Sequence, residues 1–145
     1  MPDAFAAPIR RTFSTEEALT DFAREFAREL HAGDVVALSG PLGAGKTTFV
    51  RGIVRALHGG DQSSSPTFTF WHRYAGDPPI DHLDLFRIEQ RAETLELGLE
   101  DAFDGDSIVL IEWWEKAPHL VPGRRYEVAI EGAGDSPRSV ECVRR

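Results

Sequence analysis

Residues Gly40–Thr47, GPLGAGKT, fit the pattern G-x-x-x-x-G-K-[ST] and sit between two segments of different periodicity. Before them, Val35–Ser39 is a short apolar run with a β-branched start, which reads as a buried strand. After them, Phe49, Val50, Ile53, Val54 and Leu57 recur at helical spacing until Gly59–Gly60 stops the segment. A strand, a glycine-rich turn and a helix in direct succession constrain the chain strongly. The glycines let the backbone curl so that several amide N–H groups face one anion, and the helix points its positive end at the same place. Lys46 can then reach the β- and γ-phosphates of a nucleotide, and the Thr47 hydroxyl can coordinate Mg²⁺. The segment Leu42, Gly43, Ala44, Gly45, Lys46, Thr47 and Thr48 is therefore the expected phosphate cradle of a P-loop.

The remaining chain supplies the elements such a loop needs. Ile9–Phe13 reads as a short strand behind a loose leader, Met1–Pro8. Ser14 followed by Glu17 predicts a capping box, and Leu19, Phe22, Ala23, Phe26, Ala27 and Leu30 then mark one helical face, ended by Gly33. Thr67–Tyr74 is rich in aromatic and β-branched residues and predicts a strand. Ile80–Leu85 predicts another after the turn 76–79. Glu89–Leu99 predicts a helix and Glu100–Phe103 a short helical turn. Ser107–Ile111 is the most apolar strand and ends at Glu112. Arg124–Glu131 and Ser139–Val143 predict a terminal hairpin. Strands interleaved with helices give an α/β expectation: one P-loop domain over residues 1–145, with a mainly parallel sheet flanked by helices and a late antiparallel hairpin.

Composition limits the function classes. The chain of 145 residues carries a formal net charge of −8, which makes it a poor independent binder of nucleic acid. The pairs Arg10–Arg11, Arg124–Arg125 and Arg144–Arg145 read as solvated surface charge, with a local basic patch as the alternative. No apolar run reaches membrane-spanning length, and Met1–Pro8 lacks the pattern of a secretory signal. The one cysteine, Cys142, cannot form an internal disulfide and suits a reducing, cytoplasmic setting. His58, His72, His82 and His119 show no metal-ligand spacing, so no zinc site is expected. Arg138 is a candidate to approach a nucleotide.

A P-loop still needs an acid for the metal and a group to orient water, and strand-end carboxylates usually supply them. Glu112, after Ser107-Ile108-Val109-Leu110-Ile111, and Asp84, after Ile80-Asp81-His82-Leu83, are the two candidates. Ser65-Pro66-Thr67 offers two hydroxyls that could sense a γ-phosphate. On spacing alone it reads better as a turn, with Pro66 fixing the approach to a strand.

Four segments in this order, GPLGAGKTTF at 40–49, SPTFTF at 65–70, HLDLFR at 82–87 and IEWWE at 111–115, resemble the bacterial tRNA threonylcarbamoyladenosine biosynthesis ATPases, the TsaE (YjeE) family. The resemblance runs from the Ser14 helix to the final hairpin. It implies a P-loop fold binding ATP or ADP with Mg²⁺, and cooperation with TsaD-like and TsaB-like subunits that move a threonylcarbamoyl group onto the adenosine beside the anticodon of ANN-decoding tRNAs. It implies that hydrolysis, slow without partners, resets that complex, and that tRNA is met through the complex. Carried onto this chain, it gives Lys46 and the loop amides to the phosphates, and Thr47 and Glu112 to Mg²⁺. Asp84 becomes a candidate for orienting or activating water, Ser65 and Thr67 a switch-like loop, and Trp113 a neighbour of the site. Ser14–Thr15 falls near the adenine. Two positions depart from the family: Pro41 stands where Asp or Asn is frequent, and Trp114 where Pro is common. Trp114 reads as core packing rather than as a partner contact.

Two other functions fit the same motif. A small-molecule kinase would carry a lid and arginines over the acceptor, whereas this chain has no Arg-rich insert and an acidic 89–99 stretch. A nucleotide-gated binding module would bind ATP with hydrolysis incidental to its role.

Overall fold

The computed structural model describes residues 7–59 and 70–145. The predicted segment Thr67–Tyr74 is therefore described only from Phe70, and Ser65 and Thr67 lie outside the described residues. Among the described residues seven strands form one sheet: β1 (Ile9–Phe13), β2 (Val35–Ser39), β3 (Trp71–Tyr74), β4 (Ile80–Asp84), β5 (Ile108–Glu112), β6 (Tyr126–Glu131) and β7 (Arg138–Arg144), in the spatial order β1-β7-β6-β2-β5-β4-β3. The centre, β6-β2-β5-β4, is parallel. Antiparallel strands extend it at both edges: β7 and β1 on one side, and β3 on the other. The sequence led us to expect the antiparallel addition at the C-terminus. The second one, β3 against β4, arises because the turn 75–79 brings the chain straight back.

Two helices cover one face. α1 (Glu16–Ala27) and α2 (Lys46–His58) bury Leu19, Phe22, Phe26, Phe49 and Ile53 against Val36, Leu38, Leu110, Val128 and Ile130. Fully burying each such side chain contributes about 1.5–3 kcal/mol, so this face dominates the cohesion of the fold. The other face is closed by three 3₁₀ turns, Leu99–Phe103, Trp114–Lys116 and Pro118–Leu120, over Ala37, Leu83, Val109 and Ile111, with α3 (Arg91–Glu96) beside them, its buried Thr94 Oγ1 2.9 Å from His119 Nε2. Trp114 packs into this second cluster with the Arg125 guanidinium 5.3 Å from its ring centroid, so packing is the reading its position supports. No helix among the described residues is long and apolar enough to cross a membrane.

Two local expectations need correction. The cap of α1 is Thr15, not Ser14: Thr15 is extended and its Oγ1 accepts from the amide of Ala18 at 3.1 Å. The third helical position is then Ala18, so Glu17 cannot close a capping box. The predicted helix 89–99 shrinks to Arg91–Glu96. Glu93 Oε1 accepts from the amides of Glu89 (3.0 Å) and Gln90 (2.9 Å), which fixes the start, and Gly98 in the left-handed region (φ 67°) ends the segment.

Candidate functional site

The carboxyl ends of β2, β5 and β4 lie side by side, and each delivers one part of the site. β2 runs into the glycine-rich loop. The turn is possible because Gly40 (φ 146°) passes so close to β6 that a Cβ would lie 2.1 Å from the carbonyl oxygen of Ile130. Gly45 (φ 113°) then starts α2 with a hydrogen atom where a side chain would strike Leu19. The register places Glu112 level with Leu38 on one side and with Asp84 on the other. Strand pairing sets Glu112 and Asp84, and the glycine turn out of β2 sets Lys46 and Thr47, around one point.

Lys46 is buried, at 5% exposure. Its Nζ donates to the carbonyl of Gly40 and lies 3.7 Å from the centroid of the Trp113 ring. Burial lowers the Lys46 pKa, while Glu112, Glu115 and Asp84 act in the opposite direction. Thr47 Oγ1 lies 3.4 Å from Glu112 Oε1. Glu112 Oε2 lies 2.6 Å from His82 Nε2. Asp84 accepts the Phe86 amide at 3.1 Å, and its pKa is raised, first by burial and then by the nearby Glu112 charge. Trp113 holds a left-handed backbone (φ 59°), uncommon for a bulky residue, and its ring packs 5.2 Å from that of Phe86. Such strain costs on the order of 1–3 kcal/mol and here places the indole over the P-loop lysine.

Two cavities flank the loop and meet at Gly43, Gly45 and Thr48. The smaller, about 280 Å³, is lined by Leu42, Lys46, Thr47, Asp84, Glu112 and Trp113 among others. The larger, about 400 Å³, is lined by Ser14, Thr15, Glu16, Asp135 and Arg138 among others. Arg138 Nη2 reaches the carbonyls of Gly134 (3.1 Å) and Gly43 (3.3 Å), tying the β6–β7 turn to the P-loop. Thr48 Oγ1 donates to Glu16 at 3.3 Å. Ala44 points into the core and its amide is bonded to the Pro41 carbonyl at 3.1 Å, so it lines neither cavity.

A third cavity, about 410 Å³, opens at the amino ends of the parallel strands beside Gly33, Ser107, Arg125 and Arg145. Arg125 and Arg145 both pair there with Glu127, which consumes much of their charge. The loop end of the sheet carries the anion-facing helix terminus and is the better ligand site.

The donor chemistry at the loop fits Mg²⁺ better than a caged metal. Thr47 and the two carboxylates are hard oxygen donors, and Mg²⁺ is commonly held by one or two carboxylates plus substrate phosphates. Among the described residues no group of three or more His, Cys, Asp or Glu could hold a metal unaided. The structure brings together Lys46, Thr47, Asp84 and Glu112, expected from the motif and the strand ends, with Trp113, which the family resemblance placed nearby; Thr15, also placed by the resemblance, lines the larger, adjoining cavity. His82 and Phe86 belong to the HLDLFR segment, but the sequence alone gives neither of them a role at the site. The signal for His82 is strand period rather than metal-ligand spacing: it lies two residues before Asp84 and so shares its face.

Fold and site together define a P-loop α/β protein with one acid on β5, beside the loop strand, and the other on β4, the next strand out. The sequence profile described as threonylcarbamoyl adenosine biosynthesis protein TsaE matches residues 13–140. The chain belongs to the TsaE family. A tRNA threonylcarbamoyladenosine biosynthesis protein TsaE of Bacillus subtilis is 38% identical over 133 residues, covering 90% of this chain and 81% of the relative. Its counterpart from Nostoc sp. is 45% identical over 119 residues, covering 79% and 72%. The crystal structure of Bacillus subtilis YdiB superposes with a TM-score of 0.77 at 28% identity, covering 97% of this chain and 87% of that one.

Proposed function

We propose that this protein is a Mg²⁺-dependent ATPase whose hydrolysis drives turnover of a TsaD–TsaB-type transferase, which modifies ANN-decoding tRNAs with a threonylcarbamoyl group. The observation that carries the reading is the convergence of Lys46, Thr47, Glu112 and Asp84 at the carboxyl ends of three adjacent strands, next to two cavities that meet at the loop. The names of the relatives support the pathway.

In this reading the loop amides and the Lys46 ammonium bind the β- and γ-phosphates of ATP, with Leu42, Gly43, Gly45 and Thr48 shaping the cradle and Ala44 anchoring the loop to the core. The ammonium exchanges the Trp113 ring and the Gly40 carbonyl for phosphate oxygens. Thr47 and Glu112 would hold Mg²⁺, which supplies charge neutralisation on the phosphates. Asp84 orients the attacking water. Its raised pKa moves it towards the range where a carboxylate serves as a base near neutral pH. The larger cavity takes the nucleoside, with Thr15 and Arg138 at its wall. Ser65 and Thr67 remain the proposed γ-phosphate-sensing segment. The setting is cytoplasmic, and tRNA is reached through the partner complex.

The test is threonylcarbamoyl transfer to tRNA by a TsaD–TsaB pair, with and without this protein and ATP. Repeated turnover that requires both is the expected result. A pair that turns over equally well without this protein would remove the pathway role.

A further inference from the structure

Both oxygens of Glu112 face a partner in the described structure. Oε1 lies 3.4 Å from the Thr47 hydroxyl and Oε2 lies 2.6 Å from His82 Nε2. The carboxylate side chain is only 4% exposed, so water cannot satisfy what the protein leaves open. His82 is itself 13% exposed at the side chain and lines neither cavity beside the loop. The register pairs His82 with Leu110 and Asp84 with Glu112, so the imidazole reaches along the strand pair to the end of β5. A hydrogen bond of this length to a carboxylate is of the strong, charge-assisted kind. A glutamate side chain loses rotamer freedom when it is fixed, and here the two contacts fix it before any ligand arrives.

The geometry points to His82 as the positioning residue of the metal side of the site: its Nε2–H donates to Glu112 Oε2 and keeps Oε1 turned towards Thr47. The two oxygens that would meet Mg²⁺ are thereby set in advance. This rests on the Mg²⁺ reading above and adds to it a residue that touches neither nucleotide nor metal. Hydrogen-bonding partners behind a metal-ligating group typically matter by 10–100-fold in metal affinity.

The experiment is calorimetric titration of the full chain with ADP, once with Mg²⁺ and once with EDTA, for the unmodified protein, His82→Ala and His82→Gln. The unmodified protein gains affinity when Mg²⁺ is present. In His82→Ala that gain shrinks by about 10-fold or more while affinity in EDTA stays unchanged. In His82→Gln, whose side-chain amide can donate from a similar distance, most of the gain returns. A full Mg²⁺ gain in His82→Ala overturns the role. So does an equal loss with and without Mg²⁺, the signature of a disturbed fold, and so does a His82→Gln protein no better than His82→Ala. If the unmodified protein itself gains nothing from Mg²⁺, the metal reading falls instead.

Discussion

Asp81 and Asp84 stand on the same short strand, β4, and face opposite sides of the sheet. Asp81 has no exposed surface, yet donors surround it: Trp71 Nε1 at 2.7 Å, Arg73 Nε and Nη2 both at 2.9 Å, and Ser107 Oγ at 2.5 Å. Burial alone would push its pKa up, but the hydrogen bonds from Arg73, Ser107 and Trp71 outweigh it and hold the carboxyl below its ordinary range. Asp84 accepts one backbone amide, and burial together with Glu112 raises its pKa. The first acid is finished by the fold: it ties β3, β4 and the start of β5 together. The second is left short of donors beside a cavity, where a ligand can complete it. A buried carboxylate is thus a site candidate when its donors are missing, and a structural member when they are supplied.

The contrast can be broken from either end. Asp81→Ala leaves the buried Ser107 hydroxyl and the Trp71 indole without their partner, and should lower the unfolding free energy by about 3 kcal/mol in urea denaturation. Nucleotide affinity per folded molecule should not change. Asp84→Asn should instead cut ATP turnover by about 10²-fold, worth about 2.7 kcal/mol of barrier, in steady-state assays.

Asp84→Asn should also make the protein slightly more stable. Because the folded pKa is raised, the ionised acid opposes folding above the unfolded pKa of about 3.9, and the amide removes that opposition. The gain should be present at pH 8 and vanish below about pH 4. The Asp81 contribution has the other sign. A depressed folded pKa gives stability present above the unfolded value and lost as pH falls through the folded one. Denaturation of both variants from pH 3 to pH 8 should therefore show differences of opposite sign that both shrink in acid. Equal signs would dissolve the distinction.

Much of this was legible in the chain because it is local. The P-loop is eight consecutive residues, and β2 and β5 are uninterrupted apolar runs, so strand, turn, helix and the strand-end Glu112 could all be read directly. What could not be read depends on neighbours distant in sequence. Nothing near Ile9 indicates that it pairs with Cys142, and nothing near Trp71 indicates that its indole seeks Asp81. The direction of β3 depends on the turn that follows it. Ser14 and Thr15 are both capable caps, and only the extended backbone at Thr15 decides between them. His82 opens the HLDLFR segment, but nothing in that segment assigns it a partner. Its role is visible only once β4 and β5 lie in register.

The most direct test of the central claim is steady-state ATP hydrolysis with Mg²⁺ by the unmodified protein and by Lys46→Ala, with thermal melts of both. The site requires slow hydrolysis by the unmodified protein and a loss of at least about 10²-fold in Lys46→Ala, with little change in melting temperature. Undiminished turnover in a folded Lys46→Ala protein would contradict the assignment of ATP to this loop.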